Sequence, residues 1–390
     1  MKVLYVTPRF PYPPLKGDKV IPYYRLRTLG KRHEITLLSF YETEDELAGV
    51  EKLRPYCNAI YTVRLPKWKS VMNVATKGLV TKLPFQVVYY QYSTFKKELG
   101  ILLERQRIDL IHGYMLRIAP YLSGIPGKKI LDLIDSMQLN LERRLNTEMF
   151  PKRFVISEEL RRIRRYERGI GSEFNRMIIV SEKDKDYIPS SNISVIPLGI
   201  DTDYFVPQGG KRTKHKIIFS GNMGYAPNIH AVKWFVERCL RRIQEKVPEA
   251  SLVIAGANPS QEVINLARRK GVVVTGFVEA MPSVLNEAQI AIAPMQSGSG
   301  MQFKILEAMS CGLPVITTTL GLGSIKAKNG KEIILANSEE EFVNKILTIF
   351  GSPESYYELG MRSRKFIIQN HSWDHIAAKV EEIYSQVLEI

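Results

Sequence analysis

Cysteine is scarce in this chain: 390 residues hold only Cys57, Cys239 and Cys311. Three thiols so far apart give neither a disulfide framework nor metal-ligand spacing. No apolar run approaches the roughly 18 residues that a bilayer-spanning helix needs. The amino terminus, residues 1–10, runs straight into a strand and lacks the apolar core and small-residue cleavage site of a secretion signal. A cytoplasmic location is therefore the expectation. No internal repeat or low-complexity tract occurs. Neither half contains a complete G-x-G-x-x-G fingerprint, which leaves a nicotinamide-dependent oxidoreductase without support.

What is present describes an ordinary globular protein, with 45% hydrophobic and 24% charged residues. The length suits two domains of ~150–200 residues rather than one core. The net charge of +15 is uneven: residues 1–195 hold 34 Lys/Arg against 21 Asp/Glu, whereas residues 196–390 hold 21 against 19. A basic half joined to a near-neutral half implies one face that meets something anionic. Residues 60–100 concentrate this charge, with seven basic residues against Glu98 alone, interleaved with Trp68, Met72, Leu79, Phe85 and several tyrosines. Residues 143–176 carry ten more, among them Arg161, Arg162, Arg164 and Arg165.

Short apolar runs alternate with helical segments. Residues 3–6, 34–40, 108–112, 129–134 and 176–180 read as strands of a first parallel sheet with helices on both faces. Residues 197–214, polar and rich in Pro and Gly, read as a linker. Strand candidates then recur at 217–219, 251–255, 272–275, 290–293, 315–318 and 333–335, giving a second doubly wound domain. A helical stripe at 376, 377, 380, 383, 384, 387 and 388 marks the last segment. The expected architecture is α/β with domains 1–200 and 201–372 and a final helix over 373–390.

The most informative stretch is Ser297 to Thr317. A glycine-rich loop (Gly298, Gly300) feeds a short amphipathic helix bearing Glu307, Gly312 ends it, and Pro314 opens a β-branched strand. Such a loop offers bare backbone N–H groups at the positive end of a helix dipole, which suits phosphate. Glu307, two turns in, offers two acceptor oxygens for a vicinal diol. An ordinary turn at the glycines and a Lys304–Glu307 pair are the plainer alternatives. Lys304 itself reads equally well as a neutraliser of diphosphate or as a solvated helix residue.

The run Gly300 to Met309 followed by Cys311 to Ile316 resembles the retaining glycosyltransferases of family 4. Further matches lie at Arg9 to Pro14, Val180 to Glu182, Val195 to Asp201 and Gly221 to Asn228, so the resemblance covers nearly the whole chain. The nearest likeness is to bacterial enzymes of exopolysaccharide assembly. It implies the GT-B fold, two Rossmann-like domains facing across a cleft, with the terminal helix crossing back to the first. It implies transfer from a UDP- or GDP-sugar to a glycan, lipid-linked or polysaccharide acceptor, with retention through same-face displacement. Asn222, Gly224, Tyr225, Phe277, Val278, Gly298, Gly300, Met301, Gln302, Lys304 and Glu307 would hold the donor, with Gly17 approaching the leaving group. His112, at the end of a first-domain strand, would contact the donor sugar or be a satisfied strand histidine. Asp18, Tyr114 and Asp135 would face the acceptor, although Asp18 and Asp135 equally suit helix caps.

Two departures from the family pattern stand out. Ser299 occupies the position eight residues before Glu307 where a glutamate usually addresses the sugar. The loop Gly224 to Asn228 lacks the usual cations. No Asp-x-Asp motif appears at a plausible site (Asp201-Thr202-Asp203 has that spacing but lies in the linker), so a metal-independent reaction is expected. Lys67, Trp68, Lys69, Lys77 and Lys82 are expected to form a peripheral contact with anionic membrane, on the inner face of the plasma membrane, with a solvated basic face as the alternative. A GT-B-fold sugar-nucleotide epimerase, a basic nucleic-acid-binding protein and a non-catalytic scaffold remain as rival readings; no recognition motif for nucleic acid is visible.

Overall fold

A computed structural model of the chain describes residues 1–14, 17–145, 149–210, 212–297 and 301–389. It divides into two units, Met1–Leu198 with Ile376–Ile390, and Gly199–His375.

In the first unit seven strands form one parallel sheet: β1 (Lys2–Thr7), β2 (Glu34–Tyr41), β3 (Ala59–Arg64), β4 (Leu110–Tyr114), β5 (Lys129–Ile134), β6 (Arg176–Ile179) and β7 (Ile193–Val195), in the order β3-β2-β1-β4-β5-β6-β7. β1 is buried along five consecutive residues, as a strand covered on both faces must be. Alternation sends Leu4 and Val6 to one face, where Phe40 stacks on Phe95 at 4.0 Å within an apolar core. Tyr5, His112, Tyr114 and Asp132 take the other face, beneath the Gly17–Leu29 helix and the terminal Trp373–Glu389 helix. The terminal helix is fastened there through Tyr384, whose hydroxyl lies 2.6 Å from His112 Nδ1, and through Glu381, which pairs with Arg32 at 2.9 Å and His33 at 3.0 Å.

The second unit repeats the plan. β8 (Lys216–Ser220), β9 (Ser251–Ala255), β10 (Val272–Gly276), β11 (Ile290–Ala293), β12 (Val315–Thr317) and β13 (Ile334–Leu335) form a parallel sheet in the order β10-β9-β8-β11-β12-β13. Strand order reverses beside β8, whose neighbours are β9 and β11. Loops leaving β8 and β11 therefore diverge, and this reversal is where doubly wound sheets bind ligands at the carboxyl ends of their strands. The comparable reversal in the first sheet lies between β1 and β4.

Candidate functional site

The loop after β8 is held by close backbone contact. A Cβ on Gly256 would lie 1.8 Å from the Gly221 carbonyl oxygen, so the loops after β8 and β9 can meet only without a side chain there. Gly221 N donates to Ala255 O and Gly256 N to Gly276 O, both at 3.0 Å, linking three successive loops. Asn222 folds its own turn, its Oδ1 accepting from Gly224 N at 2.9 Å. Asn228 is buried, and its Nδ2 donates to Asn222 O at 2.9 Å.

Lys304 meets this loop from the Phe303–Ser310 helix, which follows β11. Its side chain is only 8% exposed, which rules out a solvated helix residue. Nζ donates to Asn228 Oδ1, lies 3.7 Å from Met295 Sδ, and sits 4.6 Å from the Phe219 ring centroid. No carboxylate forms an ion pair with it among the described residues. Burial lowers its pKa from 10.5 to about 7, with Glu307 pulling the other way. Glu307, one turn on, is half-buried, and its carboxylate has no hydrogen-bond partner among the described residues. Burial raises its carboxyl from 4.5 to about 7, against the pull of Lys304. A cation and a carboxylate thus stand on one short helix at the strand reversal, neither spent on an ion pair.

That helix is fixed from its far end. Gly312 takes a φ of 65° just beyond it, while Arg212 Nη2 donates to the Cys311 and Gly312 carbonyls at 3.2 and 2.8 Å. Arg364 Nη1 donates to the Ser310 and Phe205 carbonyls. Met301 is buried and Gln302 half-buried at the helix start. Tyr225 and Phe277 are exposed, the latter by 68%, and Val278 is half-buried after β10. Gly298, Ser299 and Gly300 lie outside the described residues. Asn228, Arg212 and Arg364 were not legible as site residues, because each acts on a partner far away in sequence.

The first-unit candidates sit differently. His112 is in mid-β4 rather than at a strand end and is wholly buried, so its ring has no access to a sugar in this structure. It belongs to a polar cluster in which Arg25 Nη2 meets Asp132 Oδ2 at 2.8 Å and His112 Nε2 approaches the same oxygen at 3.8 Å. Burial lowers the His112 pKa; for Asp132 burial works upward, but Arg25 outweighs it and holds the carboxyl below its usual range. Tyr114 is buried in the same strand, its hydroxyl without a partner. Asp18 is engaged by Arg9 at 2.6 Å in the first turn of its helix. Gly17 opens that helix with free space around its Cα. Asp135 accepts from Asn140 Nδ2 at 2.8 Å, and burial raises its pKa. Lys67, Trp68, Lys69, Lys77 and Lys82 are all exposed, the first four on the Lys67–Val80 helix. Among the described residues no group of three or more His, Cys, Asp or Glu side chains is placed to hold a metal ion.

Residues 214–352 match the family described as Glycosyl transferases group 1, a span wholly inside the second unit. Over that span the chain resembles the group 1 glycosyl transferases, and its two parallel-sheet units have the GT-B fold. The group 1 match takes in β8 to β13, with Asn228, Lys304 and Glu307. Over 390 aligned residues the chain is 22% identical to an uncharacterized 44.6 kDa protein in the cps region of Klebsiella pneumoniae, covering 95% of this chain and 96% of that protein. It is 23% identical to UDP-Gal:alpha-D-GlcNAc-diphosphoundecaprenol alpha-1,3-galactosyltransferase of Escherichia coli, covering 64% of this chain and 68% of the relative. Sucrose-phosphate synthase from Thermosynechococcus elongatus shares the fold with a TM-score of 0.70 at 13% identity, covering 100% of this chain and 99% of that one.

Proposed function

We propose that this protein transfers a sugar, with retention at the anomeric carbon, from a nucleotide-diphosphate sugar to a glycan, lipid-linked or polysaccharide acceptor in cell-envelope or exopolysaccharide assembly. One observation carries the reading: Lys304, buried and without a carboxylate partner among the described residues, stands beside the turn after β8 within the group 1 domain. A diphosphate supplies the anion that such a cation lacks. Glu307 supplies acceptors to a ribose diol, and the mobile proton of its raised carboxyl is released when hydroxyls donate to it. Lys304 then stabilises charge on the departing diphosphate, and positioning of the acceptor completes the reaction without a protein nucleophile. The names of the Escherichia coli and Klebsiella relatives support an acceptor in capsule or lipid-linked glycan assembly.

The test is a thermal-shift panel of UDP- and GDP-sugars against their bare diphosphates, followed by product analysis with the donor that stabilises most. Transfer to an acceptor, with retained anomeric configuration and undiminished in the presence of a chelator, is expected. Release of an epimerised nucleotide sugar without acceptor would instead give the protein to the epimerases. No stabilisation by any nucleotide would remove the donor site.

A further inference from the structure

Twelve described large apolar side chains expose more than half their surface, and nine of them fall in two segments of the first unit. Trp68, Val71, Met72, Leu79 and Val80 lie on the Lys67–Val80 helix, while Met149 and Phe150 just precede the Lys152–Ile170 helix and Phe154 and Val155 lie in its first turn. The Lys67–Val80 helix is amphipathic but mounted with its polar side inward. Ser70 and Gly78 are its buried residues; Ser70 Oγ lies 2.8 Å from the Tyr92 hydroxyl, and Asn73 Nδ2 donates to Gln91 O at 2.9 Å. The stripe at 68, 71, 72, 75 and 79 has the spacing of a core face. It points to solvent instead, with Leu79 80% exposed.

The two segments adjoin. Arg162 donates to the carbonyls of Gly78, Thr81 and Leu83 at 2.7, 3.0 and 3.1 Å, and Glu159 accepts from Phe85 N and Gln86 N at 2.6 and 3.1 Å. A groove of about 230 Å³ runs between Leu79, Val80 and Lys82 on one side and Arg161 and Arg165 on the other. Arg161, Arg164, Arg165 and Arg168 follow at helical spacing. Arg161 and Arg164 are paired with Glu158 and Glu142, but Arg165 and Arg168 have no acidic partner among the described residues.

We propose that these two segments form one docking surface for an anionic lipid bilayer, with the Lys67–Val80 helix lying along the interface. Trp68, Leu79, Val80, Phe150 and Phe154 enter the acyl boundary, and the lysines and arginines around them meet lipid phosphates. A bilayer fits this composition better than a protein partner does. Lysine is depleted at protein interfaces, whereas at a lipid surface its stem lies along apolar groups while the ammonium reaches the headgroups. No helix among the described residues is long and apolar enough to cross a membrane, so the contact is lateral. The surface is distinct from the Lys304 site and stands without the donor reading.

The full chain should sediment with vesicles of phosphatidylcholine mixed with phosphatidylglycerol at least about tenfold more strongly than with phosphatidylcholine alone, and less as salt rises. Of the three tryptophans only Trp68 lies in this surface. Brominated acyl chains should therefore quench its emission, and Trp68→Phe should abolish that quenching. Leu79→Glu with Val80→Glu, both at solvated positions, should weaken binding at least about tenfold without changing the melting curve. Phe154→Trp should add a second quenched reporter. Absence of binding to the mixed vesicles, binding unaltered by the double glutamate variant, or an unquenched Trp68 in bound protein would each overturn the proposal. Self-association abolished by the double variant, with no vesicle binding, would also overturn it and give the surface to a second copy of the chain.

Discussion

Replacing Lys304 by methionine should make this protein more stable and less able to bind nucleotide. Burial lowers the lysine from 10.5 to about 7. At roughly 1.4 kcal/mol per unit, the charged form is opposed by about 4–5 kcal/mol relative to the unfolded chain. Methionine removes that opposition and keeps the volume and flexibility of the stem. It also leaves the buried Asn228 Oδ1 without its donor, at a cost of roughly 1–3 kcal/mol. The balance is a gain of about 2 kcal/mol, or roughly 4–8 °C in Tm for a unit of this size. The pH dependence identifies the cause. A lysine with a lowered folded pKa destabilises where it is protonated, so wild-type stability should climb as pH rises from 7 to 10.5, and the advantage of Lys304→Met should shrink over that window. Affinity for the nucleoside diphosphate should fall roughly ten- to a hundredfold, as for loss of a charge-assisted hydrogen bond. Differential scanning calorimetry across pH and titration calorimetry with UDP and GDP read both effects. A variant that is less stable at neutral pH yet binds nucleotide as before would show that Lys304 is a packing residue, and the donor-site reasoning would fail.

Glu307→Gln should lower affinity for the sugar nucleotide at least about tenfold while the fold persists, as titration calorimetry would read. Because its carboxyl is raised, wild-type stability should decline as pH climbs from 4.5 to 7, and this slope should vanish in the glutamine variant. Asp132→Asn should destabilise the protein by about 3–5 kcal/mol in denaturant melts, because Arg25 is left charged and buried; an effect within experimental error would show that water already screens the pair. Gly256→Ala should weaken nucleotide binding and lower Tm, since the new methyl meets the Gly221 carbonyl at 1.8 Å and the residue has a φ of 142°; unchanged binding would detach the loop after β8 from the site.

Strands such as residues 3–6 and 315–318 were legible because short apolar runs bounded by turn residues have no helical alternative at that length. β3 (Ala59–Arg64) and β7 (Ile193–Val195), at the two edges of the first sheet, were missed: β3 because its residues are only half-buried or exposed and its pattern is mixed, β7 because three residues carry little signal. The ligand-binding end of the second sheet was legible from Gly221, which takes a φ of 147° after β8. Lys304 remained undecided because its environment is made by Asn228, 76 residues earlier, and local pattern carries no such information. His112 looked like a strand terminus since the apolar run stops there, yet β4 continues through Gly113 and Tyr114. For residues 60–100 the composition showed both charge and aromatics. The stripe at 68, 71, 72, 75 and 79 has a period that fits burial as well as exposure, and only Ser70 and Asn73 on the opposite side reveal which face the protein holds.

The two sheets use one strand order for opposite electrostatic ends. In the first, the charges near the reversal are closed on each other: Arg9 with Asp18 at 2.6 Å, Arg25 with Asp132 at 2.8 Å. Closed pairs hold structure and have little left to offer a charged ligand. In the second, Lys304 and Glu307 sit at the same point of the topology without closing on any opposite charge, and burial drives both toward neutrality near pH 7. Each can therefore change protonation at little cost when an anion or a diol arrives. Binding a diphosphate should draw a proton onto Lys304, so the enthalpy of nucleotide binding near pH 7 should vary with the ionisation enthalpy of the buffer. In the Glu307→Gln background, which removes the proton that the carboxyl would release, uptake of about half a proton at pH 7, lost when Lys304→Met is added, would place the responsive charge on the second sheet; equal uptake with and without Lys304→Met would move it elsewhere.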